Sequence, residues 1–165
     1  MYSTEGIILK KINVGEADGL FSIYTRDYGK IRALAQGVKK ENAKLKGHLE
    51  PFNYCAIGFV RARNGERLTH AALLEPWFSI RTGLLKLGIA SYIAEVIHQH
   101  CLEGERDENL WQFLKNSFQE LEQKSIDLQT RDLFLALFDA NLLGHLGYAG
   151  EKDIRTLGTT VAKPF

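Results

Sequence analysis

The spacing of apolar positions changes near residue 80. Before that point short apolar or alternating runs are separated by turn residues, which predicts strands. Glu5-Gly-Ile-Ile-Leu-Lys-Lys-Ile is the first, ended by the stretch from Asn13 to Gly19. Leu20-Phe-Ser-Ile-Tyr-Thr is the second; it stops at Asp27-Tyr-Gly29, a hairpin signal. Lys30-Ile-Arg-Ala-Leu-Ala is the third. Its two-residue repeat sets Lys30 and Arg32 on one face and Ile31 on the other. Residues 37–47 show no periodicity. Phe52 to Val60 is the fourth strand, with Gly58 as a bulge or bend inside it. Asn64-Gly65, a type I′ turn signal, returns the chain into a fifth, Arg67 to Leu74. Five short strands with one long polar loop favour a small barrel, which closes without leaving long edges.

After Pro76 the repeat becomes helical. Leu85, Ile89, Tyr92 or Ile93, and Val96 or Ile97 form one apolar stripe that runs out near Gly104. Trp111, Leu114, Phe118 and Leu121 form a second, N-capped by Asp107. A third helix, capped by Ser125 or Asp127 and stopped by Gly147, carries Phe134, Leu135, Leu137, Phe138, Leu142, Leu143 and Leu146. It is apolar nearly all round, which predicts the central, buried helix of a small three-helix bundle. The fold class expected is α+β: an N-terminal five-stranded β-barrel over residues 1–78, a helical bundle over 79–149, and an irregular tail over 150–165.

Composition adds limits. Of 165 residues 45% are hydrophobic and 25% charged, which excludes intrinsic disorder. No apolar run reaches the roughly 18 residues of a membrane span, and Met1-Tyr-Ser-Thr-Glu-Gly lacks a signal-peptide layout, so a cytoplasmic protein is expected. Cys55 and Cys101 make neither a disulfide framework nor a zinc ribbon. The net charge of +1 conceals a split: residues 1–80 carry a balance of +4 and residues 81–165 of −3. Seven basic residues, Arg26, Lys30, Arg32, Lys39, Lys40, Lys44 and Lys46, fall between positions 26 and 46 against only Asp27 and Glu41. Such asymmetry suits a domain that handles a polyanion, although a solvated loop also accounts for it.

No enzyme signature is present: no phosphate loop, dinucleotide fingerprint, nucleophile elbow or His-Glu-x-x-His. His98-Gln-His100-Cys101 lacks the convergent ligands a metal needs, and Asp18, between Gly15 and Gly19, reads as turn chemistry. Neither metal nor cofactor is expected. Small barrels of this kind bind single strands with a basic groove and stacking aromatics. Arg26, Lys30 and Arg32 would hold the phosphate backbone from strands, and Lys39, Lys40, Lys44 and Lys46 from the loop. Tyr28 is either an exposed stacking residue or a cap on the barrel end, and Tyr24 is a second stacking candidate.

Several strings carry a family resemblance: Glu5-Gly-Ile-Ile-Leu, Gly15-Glu-Ala-Asp18, Tyr24 through Lys40, Leu49-Glu-Pro-Phe52 and Leu142-Leu-Gly-His-Leu-Gly-Tyr148. In this order they resemble the RecO family of DNA repair and recombination proteins. The resemblance implies an OB-fold followed by a helical domain. It also implies binding of single- and double-stranded DNA, annealing of complementary strands, and work with RecR to load RecA onto strands coated by single-stranded-DNA-binding protein. Members of this kind are not enzymes in the bond-making sense. The family's basic barrel residues map onto Arg26, Lys30, Arg32, Lys39 and Lys40, and less directly onto Lys44 and Lys46. The acidic, Phe-terminated tail of single-stranded-DNA-binding protein would be received by Arg131 with Phe134 and Leu135. The chain departs from the pattern after Tyr148, where many relatives place zinc-binding cysteines and this sequence has none; zinc is not expected. An adaptor with weak or no DNA binding is the alternative function.

Overall fold

The computed structural model describes residues 1–40, 45, 47–63 and 65–148. The five strands are β1 (Tyr2–Val14), β2 (Asp18–Thr25), β3 (Gly29–Ala35), β4 (Tyr54–Ala62) and β5 (Gly65–Glu75). They close into a barrel in the order β1-β2-β3-β5-β4. Every contact is antiparallel except β3 with β5, which pair in parallel at only Ala33–Glu66 and Leu34–Arg67. β1 serves two neighbours: its first half pairs with β4, and beyond a bulge between Ile8 and Lys10 it continues along β2. Gly58 also lies at a register shift, against β5, as its place inside an apolar run suggests. Of the Asn64-Gly65 turn, Asn64 lies outside the described residues, as do Lys44, Lys46 and the tail from residue 149.

Alternation fills the barrel. Ile8, Phe21, Ile23, Ile31, Ala33, Ala35, Cys55, Ile57, Phe59, Leu68 and Ala71 point inward and form one buried core. Alanine on facing strands leaves room for the two phenylalanines in so narrow a space. A second core forms on the outer wall, where Ile7, Leu9, Tyr24 and Tyr54 meet the helices. This double use explains why β1 reads as an unbroken apolar run rather than an alternating one.

The helices are α1 (Phe78–Thr82), α2 (Leu84–His100), α3 (Glu108–Gln123) and α4 (Leu128–His145). Sequence spacing predicts three; the five residues of α1 are too few to show a period. Gly83, in extended conformation, separates α1 from α2. The Glu122 carboxylate on α3 accepts hydrogen bonds from the Ser79 and Ile80 amides, each 3.0 Å, and so caps α1 from another helix. Asp107 caps α3 through the Leu110 amide at 3.0 Å, and Asp127, not Ser125, caps α4 through the Thr130 amide at 2.8 Å. Gly147 has φ 80°, as expected just past a helix.

The expectation of a buried, central third helix is wrong. The centre is α2 with α3, through Ile89, Ile93, Ile97, Leu110, Trp111, Leu114, Phe118 and Leu121. α4 buries only Phe138, Ala140 and Leu142, and leaves Leu128 and Leu143 exposed. All-round apolarity measures what a helix could cover; here α2 and α3 have already taken the barrel wall, so α4 packs on their far side. An aromatic stack joins the halves: Trp77 lies parallel to Phe118 at 5.1 Å and to Tyr54 at 6.0 Å.

Candidate nucleic-acid interface

β3 and β5 touch at only two register positions, so the first half of β3 has no strand on that side. The α2–α3 connection fills the gap. The Gly104 amide donates to the Lys30 carbonyl at 2.9 Å, and Lys30 and Glu103 form a parallel bridge. Gly29 opens β3 with φ 62°, and a Cβ there would fall onto the Glu105 carbonyl; only glycine allows this approach. The connection between helices is thereby held along the strand that carries the expected DNA contacts.

Its effect on those residues is direct. Lys30 is not the solvent-facing phosphate contact that alternation suggests: it is 7% exposed, and its Nζ donates to the His98 carbonyl at 2.6 Å. Alternation correctly sets Lys30 on the outer face, but that face is roofed here by the end of α2. Arg32, two residues on, is exposed, with Nε 3.8 Å from a Glu103 carboxylate oxygen. Arg26, just past β2, is exposed with Nε 3.8 Å from Glu108. Lys39 donates to the Gly15 carbonyl at 2.7 Å, next to the β1–β2 turn, and Lys40 is exposed beside it. The basic run therefore stretches from one barrel end to the other along β3, about 20 Å at a strand's rise per residue, rather than forming one patch.

Tyr28 behaves as a cap. Its ring meets Tyr2 edge-on at 5.4 Å and Phe59 at 5.3 Å, closing the mouth of the barrel. Tyr24 is 1% exposed, between β2 and the helices, so it offers no stacking face; burial pushes its phenol above the ordinary value. Asp18, expected in the turn, opens β2, and its carboxylate accepts from the Gly37 amide at 2.7 Å, tying that strand to the loop after β3. His98 faces Ser22 Oγ through Nδ1 at 2.9 Å; burial, then the charge of Lys30, holds its pKa below the ordinary value.

The β4–β5 hairpin carries cations that the basic run does not include. Arg61, Arg63 and Arg67 are exposed, and among the described residues none meets a carboxylate within ion-pair distance. The Arg61 guanidinium lies 5.1 Å over the Tyr2 ring, which fixes its direction. It shares with Tyr28, Arg32, Phe59, Glu66 and Glu103 the lining of a pocket of about 130 Å³ at the barrel mouth. The signal was available in Arg61-Ala-Arg63 and Arg67 flanking a turn dipeptide, spread too thinly to stand out against the run at 26–46.

In the helical region, a cleft of about 120 Å³ between α3 and α4 is lined by Phe134 with Phe113, Lys124, Leu137 and Phe138 among others. Arg131 lies outside this lining, its guanidinium 2.8 Å from its neighbour Asp132, and Leu135 packs on the helical core. The cation at the cleft is Lys124, which also contacts Glu120. Sequence position pairs Phe134 with Arg131, whereas the fold pairs it with Lys124 from the end of α3. No described helix is long and apolar enough to cross a membrane.

Two family models match the chain: "Recombination protein O N terminal" over residues 1–77 and "Recombination protein O C terminal" over residues 81–151. Similar curated proteins share one description, "DNA repair protein RecO". That from Thermoanaerobacter sp. strain X514 is 29% identical over 153 residues, covering 93% of this chain and 60% of the relative. That from Dehalococcoides mccartyi strain BAV1 is 31% identical over 150 residues, covering 91% and 58%. That from Syntrophobacter fumaroxidans strain MPOB is 32% identical over 143 residues, covering 87% and 57%. The chain thus spans a little under two thirds of the length of these relatives.

Proposed function

The chain belongs to the RecO family of DNA repair proteins, and on that premise we propose that it binds DNA through its barrel, single strands as well as duplexes, and anneals complementary strands. The observation that carries this reading is the closed five-stranded barrel with Arg26 exposed before β3, Arg32 exposed on it and Lys40 exposed beyond it, and with Arg61, Arg63 and Arg67 exposed on the β4–β5 hairpin. The chemistry needs no catalytic group. Cations that screen two phosphate backbones lower the repulsion opposing their pairing, and release of condensed counterions supplies the affinity. Arg26, Arg32, Lys39 and Lys40 are the strand and loop contacts; Lys44 and Lys46 belong with them by sequence. In the same reading the protein works in the cytoplasm at the nucleoid, with RecR, in loading RecA onto coated single strands. The α3–α4 cleft, with Phe134 inside, Lys124 at its edge and Arg131 and Leu135 on the same helix as Phe134, receives the acidic tail of single-stranded-DNA-binding protein.

Anisotropy of a labelled oligo-dT, titrated at low and moderate salt, tests the reading. Binding at micromolar protein or tighter that weakens steeply with salt is expected, and Lys39→Glu/Lys40→Glu weakens it further without unfolding the protein. No binding at low salt would favour the second reading, an adaptor that docks proteins through its helices. The burial of Lys30 and the carboxylates beside Arg26 and Arg32 are the observations in its favour.

A further inference from the structure

The barrel's cations fall into two electrostatic classes, and the helical region creates the difference. Arg32 and Arg26 each have a carboxylate from around the α2–α3 connection as neighbour, Glu103 and Glu108. Arg61, Arg63 and Arg67 have no carboxylate within ion-pair distance among the described residues, although Glu66 stands opposite Arg61 on the same hairpin. The placement of these carboxylates is built in. The Gly104–Lys30 backbone bond, the buried Lys30 ammonium under the end of α2, and the approach of Glu105 to Gly29 hold the connection along β3. Both ion pairs are loose and half-exposed, so they neutralise charge without locking it away. Glu108 has a second partner, Arg106 at 3.6 Å, and keeps a counter-charge when Arg26 turns elsewhere. Glu103 lies in the same mouth pocket as Arg32 and Arg61, where an incoming phosphate would compete with it.

We propose that the α2–α3 connection and the first residue of α3 form an intramolecular phosphate mimic: Glu103 and Glu108 occupy Arg32 and Arg26 in the free protein, so a nucleic-acid strand engages first the arginines of the β4–β5 hairpin and gains the strand arginines by displacing these carboxylates. The inference rests on the DNA-binding reading above and makes Glu103 and Glu108 specificity-determining residues. They hold affinity for stray polyanions down, while a strand long enough to pass from the hairpin along β3 collects both sets of contacts.

The test compares oligo-dT affinity against salt for the full chain and four variants, each first checked for an unchanged melting temperature. Glu103→Gln binds about two- to fivefold tighter at low salt, the range an exposed ion pair spans, and Glu103→Gln/Glu108→Gln up to about tenfold tighter. Glu105→Gln removes the same charge from the same connection, where among the described residues no cation lies within ion-pair distance, and changes affinity less than Glu103→Gln does. Arg61→Gln/Arg63→Gln/Arg67→Gln loses at least about tenfold and flattens the log–log salt slope by about 2, some 0.7 for each single-strand phosphate contact. If the double acid variant matches the unmodified protein in affinity and slope, or Glu105→Gln gains as much as Glu103→Gln, the mimic is overturned while DNA binding stands. If the hairpin variant binds as before, the order of engagement is overturned. If neither the unmodified protein nor the acid-free variant binds at low salt, the DNA reading itself falls, and this inference with it.

Discussion

The barrel interior and the barrel–helix junction are built on different rules. Inside the barrel, apolar side chains alternate with outward residues, and among the described core side chains only the Cys55 thiol makes a polar contact, donating to the His48 carbonyl at 3.1 Å. At the junction, the Tyr54–Trp77–Phe118 stack sits among polar ties: Lys30 on the His98 carbonyl, His98 on Ser22, and the Tyr54 hydroxyl donating to Glu5 at 2.6 Å while accepting from Lys115 at 2.9 Å. The barrel is sealed by a pattern local to each strand, whereas the junction needs partners tens of residues apart. Polar groups on the outer wall are therefore available to a ligand only where the helices have not already used them.

Breaking the junction should have the largest effect. Phe118→Ala, at a fully buried position in the stack, is expected to destabilise the protein by about 3–5 kcal/mol. Because the stack joins both halves, far-ultraviolet and tryptophan signals should shift together in thermal unfolding; two separated transitions would show that the barrel stands without the junction. Lys30→Ala comes next, removing a charged hydrogen bond at a buried site for about 1.5–3 kcal/mol. Folded protein carrying it should bind oligonucleotide at least as tightly, since loosening the α2–α3 connection frees Arg32 and Arg26, and a marked loss of affinity at equal stability would return Lys30 to the ligand-facing set. The smallest effect is a pH dependence. Below its ordinary pKa of 6.5, His98 takes up a proton in the unfolded chain that the folded protein resists, since its folded value is lowered. Stability at the junction should decline as pH falls through that value and recover as it rises. Urea midpoints across this range should show the slope, and His98→Gln should flatten it.

Much of this arrangement is legible from the chain alone. The five strands, the bend at Gly58, the cap at Asp107 and the stop at Gly147 follow from period and local hydrogen-bonding chemistry, which neighbours in sequence decide; for α4 the sequence narrows the cap to Ser125 or Asp127 and the structure selects Asp127. What escapes is set by contacts between distant segments. Arg32 and Lys30 are equivalent by alternation and differ only because α2 ends above one of them. α4 carries apolar residues nearly all round and is yet peripheral, because α2 and α3 hold the positions against the barrel wall. Phe134 shares a cleft with Lys124, just past the end of α3, rather than with Arg131 one turn away, since side chains on one helix can face different clefts.

The backbone bridge between Lys30 and Glu103 also has a bearing on assembly. A barrel whose third and fifth strands part early would otherwise present bare amides and carbonyls to any extended peptide, the usual invitation to β-augmentation or to edge-on aggregation. With the connection between α2 and α3 seated there, that invitation is withdrawn at this seam.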